Sequence, residues 1–148
     1  MEGRPVLYLD MDNVLADFDG SPDIPLSEKD QRNHPAIFQP GFFLNLKPTE
    51  FAKEAVRTLL LSGKYEIWIA SKPLWNSSYC YSEKAQWIMK YFPELSKRVI
   101  LTQDKGLLLG NVLIDDEMHW SNSFGGTFVL FNPKKARSCW EQVLEYLL

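Results

Sequence analysis

Cysteine is scarce in this chain. Cys80 and Cys139 are the only two among 148 residues. Neither sits at a metal-ligand spacing, so the sequence offers no disulfide framework and no zinc site. Histidine is as sparse: His34 and His119 have no partner at ligand spacing and read as loop or surface residues. No apolar run approaches the ~20 residues of a membrane span, and "MEGRPVLYLD" lacks the long apolar core of a signal peptide. A cytoplasmic protein with no membrane partner is expected. Excess positive charge is missing too. The formal net charge is -3, which gives no basic field for a nucleic-acid polymer but leaves a mononucleotide or other small phosphate open. There is no internal repeat and no low-complexity tract.

What is present suits one domain over residues 1–148, with 45% hydrophobic and 24% charged residues and room for a sizeable core. Five short runs read as strands: "VLYL" (6–9), "YEIWIA" (65–70), "RVILT" (98–102), "NVLI" (111–114) and "TFVLF" (127–131). They are continuously apolar rather than alternating, the pattern of strands covered on both faces of a parallel sheet. Three helices are expected between and after them. The first spans 48–63, from Pro48-Thr49 to Gly63. The second spans 82–94, from the N-cap residue Ser82 to Pro93, and the third spans 136–148. Strands alternating with helices give an α/β fold with a central parallel sheet. Residues 19–45, rich in proline and glycine, form an insertion between the first strand and its helix, long for a plain loop.

The first strand runs directly into Asp10 and Asp12. D-x-D alone is a weak signal, since about half a match arises by chance in a chain of this composition. A second match, Asp17-Phe18-Asp19, leads into a Gly-Ser-Pro loop and reads as solvated loop carboxylates. Asp10 and Asp12 differ by position. Ligands of open α/β sheets bind outside the carboxyl ends of the strands, and residues i and i+2 of an extended chain point the same way. Other strand exits carry Ser71 with Lys72 and Pro73, then Asp104 and Lys105, then Asp115-Asp116 with Glu117. On a parallel sheet these exits converge on one edge. Several carboxylates together repel unless a cation sits among them. Hard oxygen donors favour Mg²⁺, and a hydroxyl and an ammonium beside it suit a phosphate.

The set "LDMDNVLADF", "IASKP", "TQDK" and "LIDD" resembles the haloacid dehalogenase superfamily of phosphohydrolases, and within it the 5'(3')-deoxyribonucleotidases. "FFLNLKP", "YCYSEKAQWIMKYF" and "LTQDKGLLLGNVLIDD" extend the likeness over most of the chain outside residues 19–40. The resemblance implies a Rossmannoid three-layer fold, its parallel sheet flanked by helices, with a cap inserted after the first motif; residues 19–45 would be a short one. It implies a Mg²⁺-dependent phosphomonoesterase acting on deoxynucleoside monophosphates through an aspartyl-phosphate.

By the same resemblance Asp10 is the nucleophile and Asp12 the general acid and then base. Ser71 bonds the phosphate, and Lys105 neutralises the phosphate and the nucleophile. Asp116, with Asp115 beside it, joins Asp10 and the Asp12 main-chain oxygen around the metal. Phe18 lines the substrate pocket, and Phe43 is a further candidate for substrate contact. The chain departs from the family pattern at Lys72, where a serine is usual, and at Glu117, where an arginine is. Lys72 either adds a phosphate contact or points into solvent.

Several readings stay open on sequence alone. Lys84 is either a second phosphate lysine or a solvated helix charge. Phe42 and Phe43 either stack on a base or pack the cap onto the core. Trp75, Tyr79 and Tyr81 either wall the pocket or cover the sheet edge, while Trp68 reads as core. The assembly is open, a homodimer included. Two alternatives to a deoxyribonucleotidase remain: a phosphatase for another small phosphate ester, and a non-catalytic phosphate-binding module on the same fold.

Overall fold

The computed structural model describes residues 3–25 and 34–148. Five strands, β1 (Val6–Leu9), β2 (Glu66–Ser71), β3 (Val99–Leu101), β4 (Val112–Asp115) and β5 (Thr127–Leu130), form one sheet in the order β3-β2-β1-β4-β5. Every pairing is parallel, with Tyr8 of β1 opposite Trp68 on one side and Leu113 on the other. The helices are α1 (Ala52–Ser62), α2 (Ser78–Tyr91) and α3 (Ala136–Leu147). No helix among the described residues is long and apolar enough to cross a membrane.

Alternate strand residues feed two cores. Leu7, Leu9, Ile67, Ile69 and Ile114 pack with Val56 and Leu59 of α1, Trp87 and Ile88 of α2, and Trp140 and Val143 of α3. Tyr8, Ala70 and Leu113 point the other way and meet Trp120 and Phe124. The layers are therefore helices, sheet, and a thinner cover of short turns. Burial on both faces accounts for the unbroken apolar runs of β1, β2 and β4. The edge strands differ. All three residues of β3 are only half-buried, and Leu130 of β5 is exposed. Trp68, expected in the core, is half-buried, with Arg98 over its ring and its Nε1 donating to Glu66.

Two helix starts differ from expectation. α1 begins at Ala52 because Phe51 takes a left-handed conformation (φ 71°) that interrupts the helix. Thr49 does not cap it: its hydroxyl donates to the Val14 carbonyl and accepts from Trp140 Nε1, joining the first-motif loop to α3. The stop at Gly63, left-handed at φ 67°, is as expected. α2 starts one turn earlier than Ser82. Ser77 is its N-cap, accepting from the Cys80 N–H, and the Ser82 hydroxyl instead donates to carbonyls of the preceding turn.

The insertion between β1 and α1 is described except for residues 26–33, which lie outside the described residues. Its regular element is a 3-10 turn, Pro35–Phe38. Ile24, Ile37, Phe42 and Phe43 are buried in the larger core, so this segment shares its packing with the sheet. The strand order reverses direction between β1 and β4, which puts a crevice at their carboxyl ends.

Candidate active site

Asp10 follows β1 and is held to β4, its N–H donating to the Ile114 carbonyl at 3.0 Å. The chain then turns sharply, with the Met11 carbonyl accepting from Val14, Leu15 and Ala16. This turn keeps Asp12 beside Asp10. Ser71 closes β2 and Asp115 closes β4. Lys105 opens a short 3-10 turn capped by Asp104, whose side chain accepts from the Gly106 N–H. All nine residues singled out in the sequence, namely Asp10, Asp12, Phe18, Phe43, Ser71, Lys72, Lys105, Asp115 and Asp116, line one cleft. Pro73, Leu74, Cys80, Lys84, Glu117 and Trp120 line it too.

Two buried lysines organise the floor. Lys105 donates to Asp10 Oδ1 at 2.8 Å and to Asp115 Oδ2. Asp115 Oδ1 accepts from the Glu117 N–H, so both oxygens of Asp115 are engaged. Lys84, 0% exposed, donates to Asp12 Oδ2 at 2.9 Å and to Ser71 Oγ at 2.7 Å, and stands 5.1 Å from the Phe43 ring centre. The solvated-helix-charge reading of Lys84 therefore fails: this ammonium joins two of the motifs. Lys72, in contrast, is exposed at the lip of the cleft, 5.8 Å from the Trp120 ring centre.

One ammonium serves two carboxylates in the Lys105 group, and the consequences are unequal. Burial acts against the Lys105 charge, but Asp10 and Asp115 more than offset it and hold its pKa above the usual lysine range. Burial pushes the Asp10 carboxyl above its usual range. Lys105 works against that shift and Asp115 adds to it, so Asp10 gains from one partner and is opposed by another.

Four carboxylates, Asp10, Asp12, Asp115 and Asp116, face two buried ammonium groups. Oxygens of Asp10, Asp115 and Asp116 all lie within 4.8 Å of one another, close enough to hold a metal ion. These are hard donors, suited to Mg²⁺ rather than to a thiophilic metal. Cys80, although it lines the cleft, is spent on packing and on accepting the Leu74 N–H, and burial raises its pKa.

Asp12 Oδ1 is the one buried side-chain polar atom without a partner among the described residues. Buried oxygens of this kind are rare and call for a reason. The second D-x-D match is less idle than its sequence suggested. Asp17 accepts from the Gly20 N–H, and Asp19 exchanges two bonds with Asn13. Trp75 and Tyr79 are exposed and do not line the cleft among the described residues. Tyr81, also exposed, reaches toward Gln103.

The neighbour of Lys84 has a separate structural task that the sequence did not signal. Glu83, 6% exposed, accepts from the N–H groups of Gly41, Phe43 and Leu44. It ties the segment carrying Phe43 to α2. Hydrogen bonds to a charged group contribute more than neutral ones, and a buried N–H left without an acceptor carries a desolvation penalty. Glu83→Ala should therefore cost about 2–5 kcal/mol of stability. Urea unfolding measures this, and a cost within experimental error of zero would contradict the clamp.

The model of the family described as "5' nucleotidase, deoxy (Pyrimidine), cytosolic type C protein" matches residues 22–142. The human cytosolic-type 5'(3')-deoxyribonucleotidase is 32% identical, over 75% of this chain and 70% of its own. A Vibrio phage KVP40 protein provisionally named a 5'(3')-deoxyribonucleotidase is 31% identical, over 97% of this chain and 85% of its own. The human mitochondrial 5'(3')-deoxyribonucleotidase is 32% identical, over 77% of this chain and 63% of its own. A family model covering most of the chain, relatives of one kind, and a haloacid dehalogenase-type parallel sheet agree: the chain belongs to the 5'(3')-deoxyribonucleotidase family.

Proposed function

We propose that the protein is a Mg²⁺-dependent 5'(3')-deoxyribonucleotidase that hydrolyses the phosphate monoester of deoxynucleoside monophosphates. The observation that carries this reading is the pairing of Asp10, bonded to Lys105, with Asp12, whose partnerless buried Oδ1 belongs to a residue of the same cleft. An oxygen kept in that state suits a group that gives and takes a proton from a reacting atom.

In this reading an Asp10 carboxylate oxygen forms a bond to phosphorus as the ester P–O bond breaks. The leaving deoxyribose oxygen takes the proton of Asp12. Water then loses a proton to Asp12 while its oxygen attacks phosphorus. The bond from Asp10 to phosphorus breaks and inorganic phosphate leaves. Lys105 shields Asp10 from the approaching negative phosphate, while Ser71 Oγ and Lys84 hold phosphoryl oxygens. Lys72 adds charge at the entrance. Mg²⁺, held by Asp10, Asp116 and the Asp12 main-chain oxygen, would supply positive charge to the phosphoryl group. Asp115 stands beside it and anchors Lys105.

Residues 19–45 act here as the short cap, with Phe18 and Phe43 on the nucleoside side. A second reading, a phosphatase for another small ester, is favoured by one feature of that wall. Phe18, Phe42 and Phe43 pack on each other with ring centres 5.0 to 6.2 Å apart, and each is 3% exposed or less. Rings engaged in this way wall a cleft more than they offer a free face for stacking. Stacking on one aromatic is worth roughly 1–3 kcal/mol, or about five- to two-hundredfold. Selectivity for nucleotides over small aryl phosphates is therefore expected to be modest.

The test is a kcat/KM series for thymidine, deoxyuridine and deoxyguanosine 5'-monophosphates, a 3'-monophosphate and an aryl phosphate, with and without Mg²⁺. Hydrolysis of the nucleotides, lost on chelation and restored by Mg²⁺, is expected. Brisk turnover of the aryl phosphate with none of any nucleotide would replace the nucleotidase reading by the broader phosphatase one. Undiminished activity after exhaustive chelation would contradict the metal.

A further inference from the structure

Asn13 follows the second aspartate of the first motif, is fully buried, and stands at φ 66°. That is the left-handed region, which a residue with a Cβ occupies at a cost and glycine does not. Asparagine tolerates this region better than most residues with a Cβ, and here its side chain is engaged as well. Its Nδ2 lies 3.2 Å from Asp19 Oδ1 and 3.2 Å from Asp116 Oδ2. Its Oδ1 accepts from the Asp19 N–H at 3.0 Å. One amide thus reaches two carboxylates: Asp19, where the chain enters the insertion, and Asp116, a member of the metal-capable group.

We propose that Asn13 is a positioning residue for the metal site: its amide orients the Asp116 carboxylate and ties it to Asp19 at the root of the cap. The inference rests on the Mg²⁺-dependent reading above. A carboxylate that accepts a hydrogen bond on one oxygen is restricted in the rotamers it can present to an ion. Groups that orient metal ligands in this way commonly change metal affinity by about 10- to 100-fold when removed. The alternative is a local role, in which the Asn13 carbonyl closes the loop through the Asp19 N–H and Asp116 is a bystander.

Two substitutions separate these roles because they differ in backbone strain but not in the loss of the amide. Asn13→Gly removes the amide and relieves the left-handed backbone. Asn13→Ala removes the amide and keeps the strain. The measurements are the metal-free melting temperature and the Mg²⁺ affinity by calorimetry, each on the full chain. The expected result is that the glycine protein melts higher than the alanine protein, while both bind Mg²⁺ about 10- to 100-fold more weakly than the native chain. Mg²⁺ affinity within twofold of native in the glycine protein overturns the proposal, as does an affinity that follows stability, near native with glycine and weak with alanine. A native chain that binds no Mg²⁺ overturns the metal reading itself, and this is seen before either variant is made.

Discussion

Asp10→Asn is expected to leave a folded protein with turnover reduced by at least ~10⁴-fold. The amide cannot form the bond to phosphorus. Folding should survive for an electrostatic reason. Asp10, Asp115 and Lys105 form a buried set of two carboxylates and one ammonium, and the substitution leaves one of each. Burial holds the Asp10 pKa above its ordinary value, so its ionisation opposes folding. Asp10's favourable contribution is complete only below its unfolded pKa and is lost as pH rises through the folded value. The metal-free Asp10→Asn protein should therefore melt at or above the native temperature near neutral pH, with the difference shrinking toward about pH 4. Melting curves at both pH values, together with kcat, check this. Near-native kcat in the folded variant would remove Asp10 from the role of nucleophile.

Lys105→Met is expected to do more damage to the fold. It leaves Asp10 and Asp115 facing each other without their shared partner. Removing one member of a buried ion pair costs about 3–5 kcal/mol, on the order of 10 °C in melting temperature for a domain of this size. Catalysis should fall as well, by about 10²- to 10³-fold in kcat/KM, because the charge is missing where the phosphoryl group arrives. The pH dependence identifies the cause. The folded pKa of Lys105 is raised, so its stabilisation is fully present below the unfolded lysine value near 10.5 and is lost only as pH climbs through the folded one. The native chain thus keeps the full contribution from about pH 5 to about pH 9. In the variant Asp10 loses the Lys105 charge that works against its raised pKa and takes up a proton more readily, so the deficit should narrow as pH falls from about 8 to about 5. A deficit independent of pH would point to lost packing of the lysine stem. A fall in kcat/KM of threefold or less would move the phosphate charge to Lys84.

The sheet was legible in the sequence because β1, β2 and β4 are covered on both faces, and such strands announce themselves as short apolar runs. The D-x-D, Ser71, Lys105 and Asp115-Asp116 positions were legible because each ends or follows a strand, and a parallel sheet gathers those ends into one place. Helix starts were harder. Ser77 and Ser82 are equally good caps by residue type, and the choice depends on which start puts Cys80, Glu83, Lys84, Trp87 and Ile88 against the core. Thr49 has the chemistry of a cap but is drawn off to Val14 and Trp140 by tertiary contact. Lys84 is the instructive case. A lysine on an amphipathic helix looks solvated, and only the closeness of α2 to the ends of β1 and β2 shows that it joins Asp12 to Ser71. Asn13 and Glu83 left no sequence signal, since their partners lie in loops brought together by the fold.

The central claim is that the phosphoryl group passes through Asp10. The most direct measurement is rapid acid quenching of the Mg²⁺-loaded protein during turnover of a deoxynucleoside monophosphate, followed by intact mass analysis and peptide mapping. A single phosphoryl group on the peptide that begins the first motif, located at Asp10 and absent from the Asp10→Asn protein, is the predicted result. Turnover of the nucleotide with no phosphoryl group on the chain at any quench time, or with the group on another residue, would contradict it.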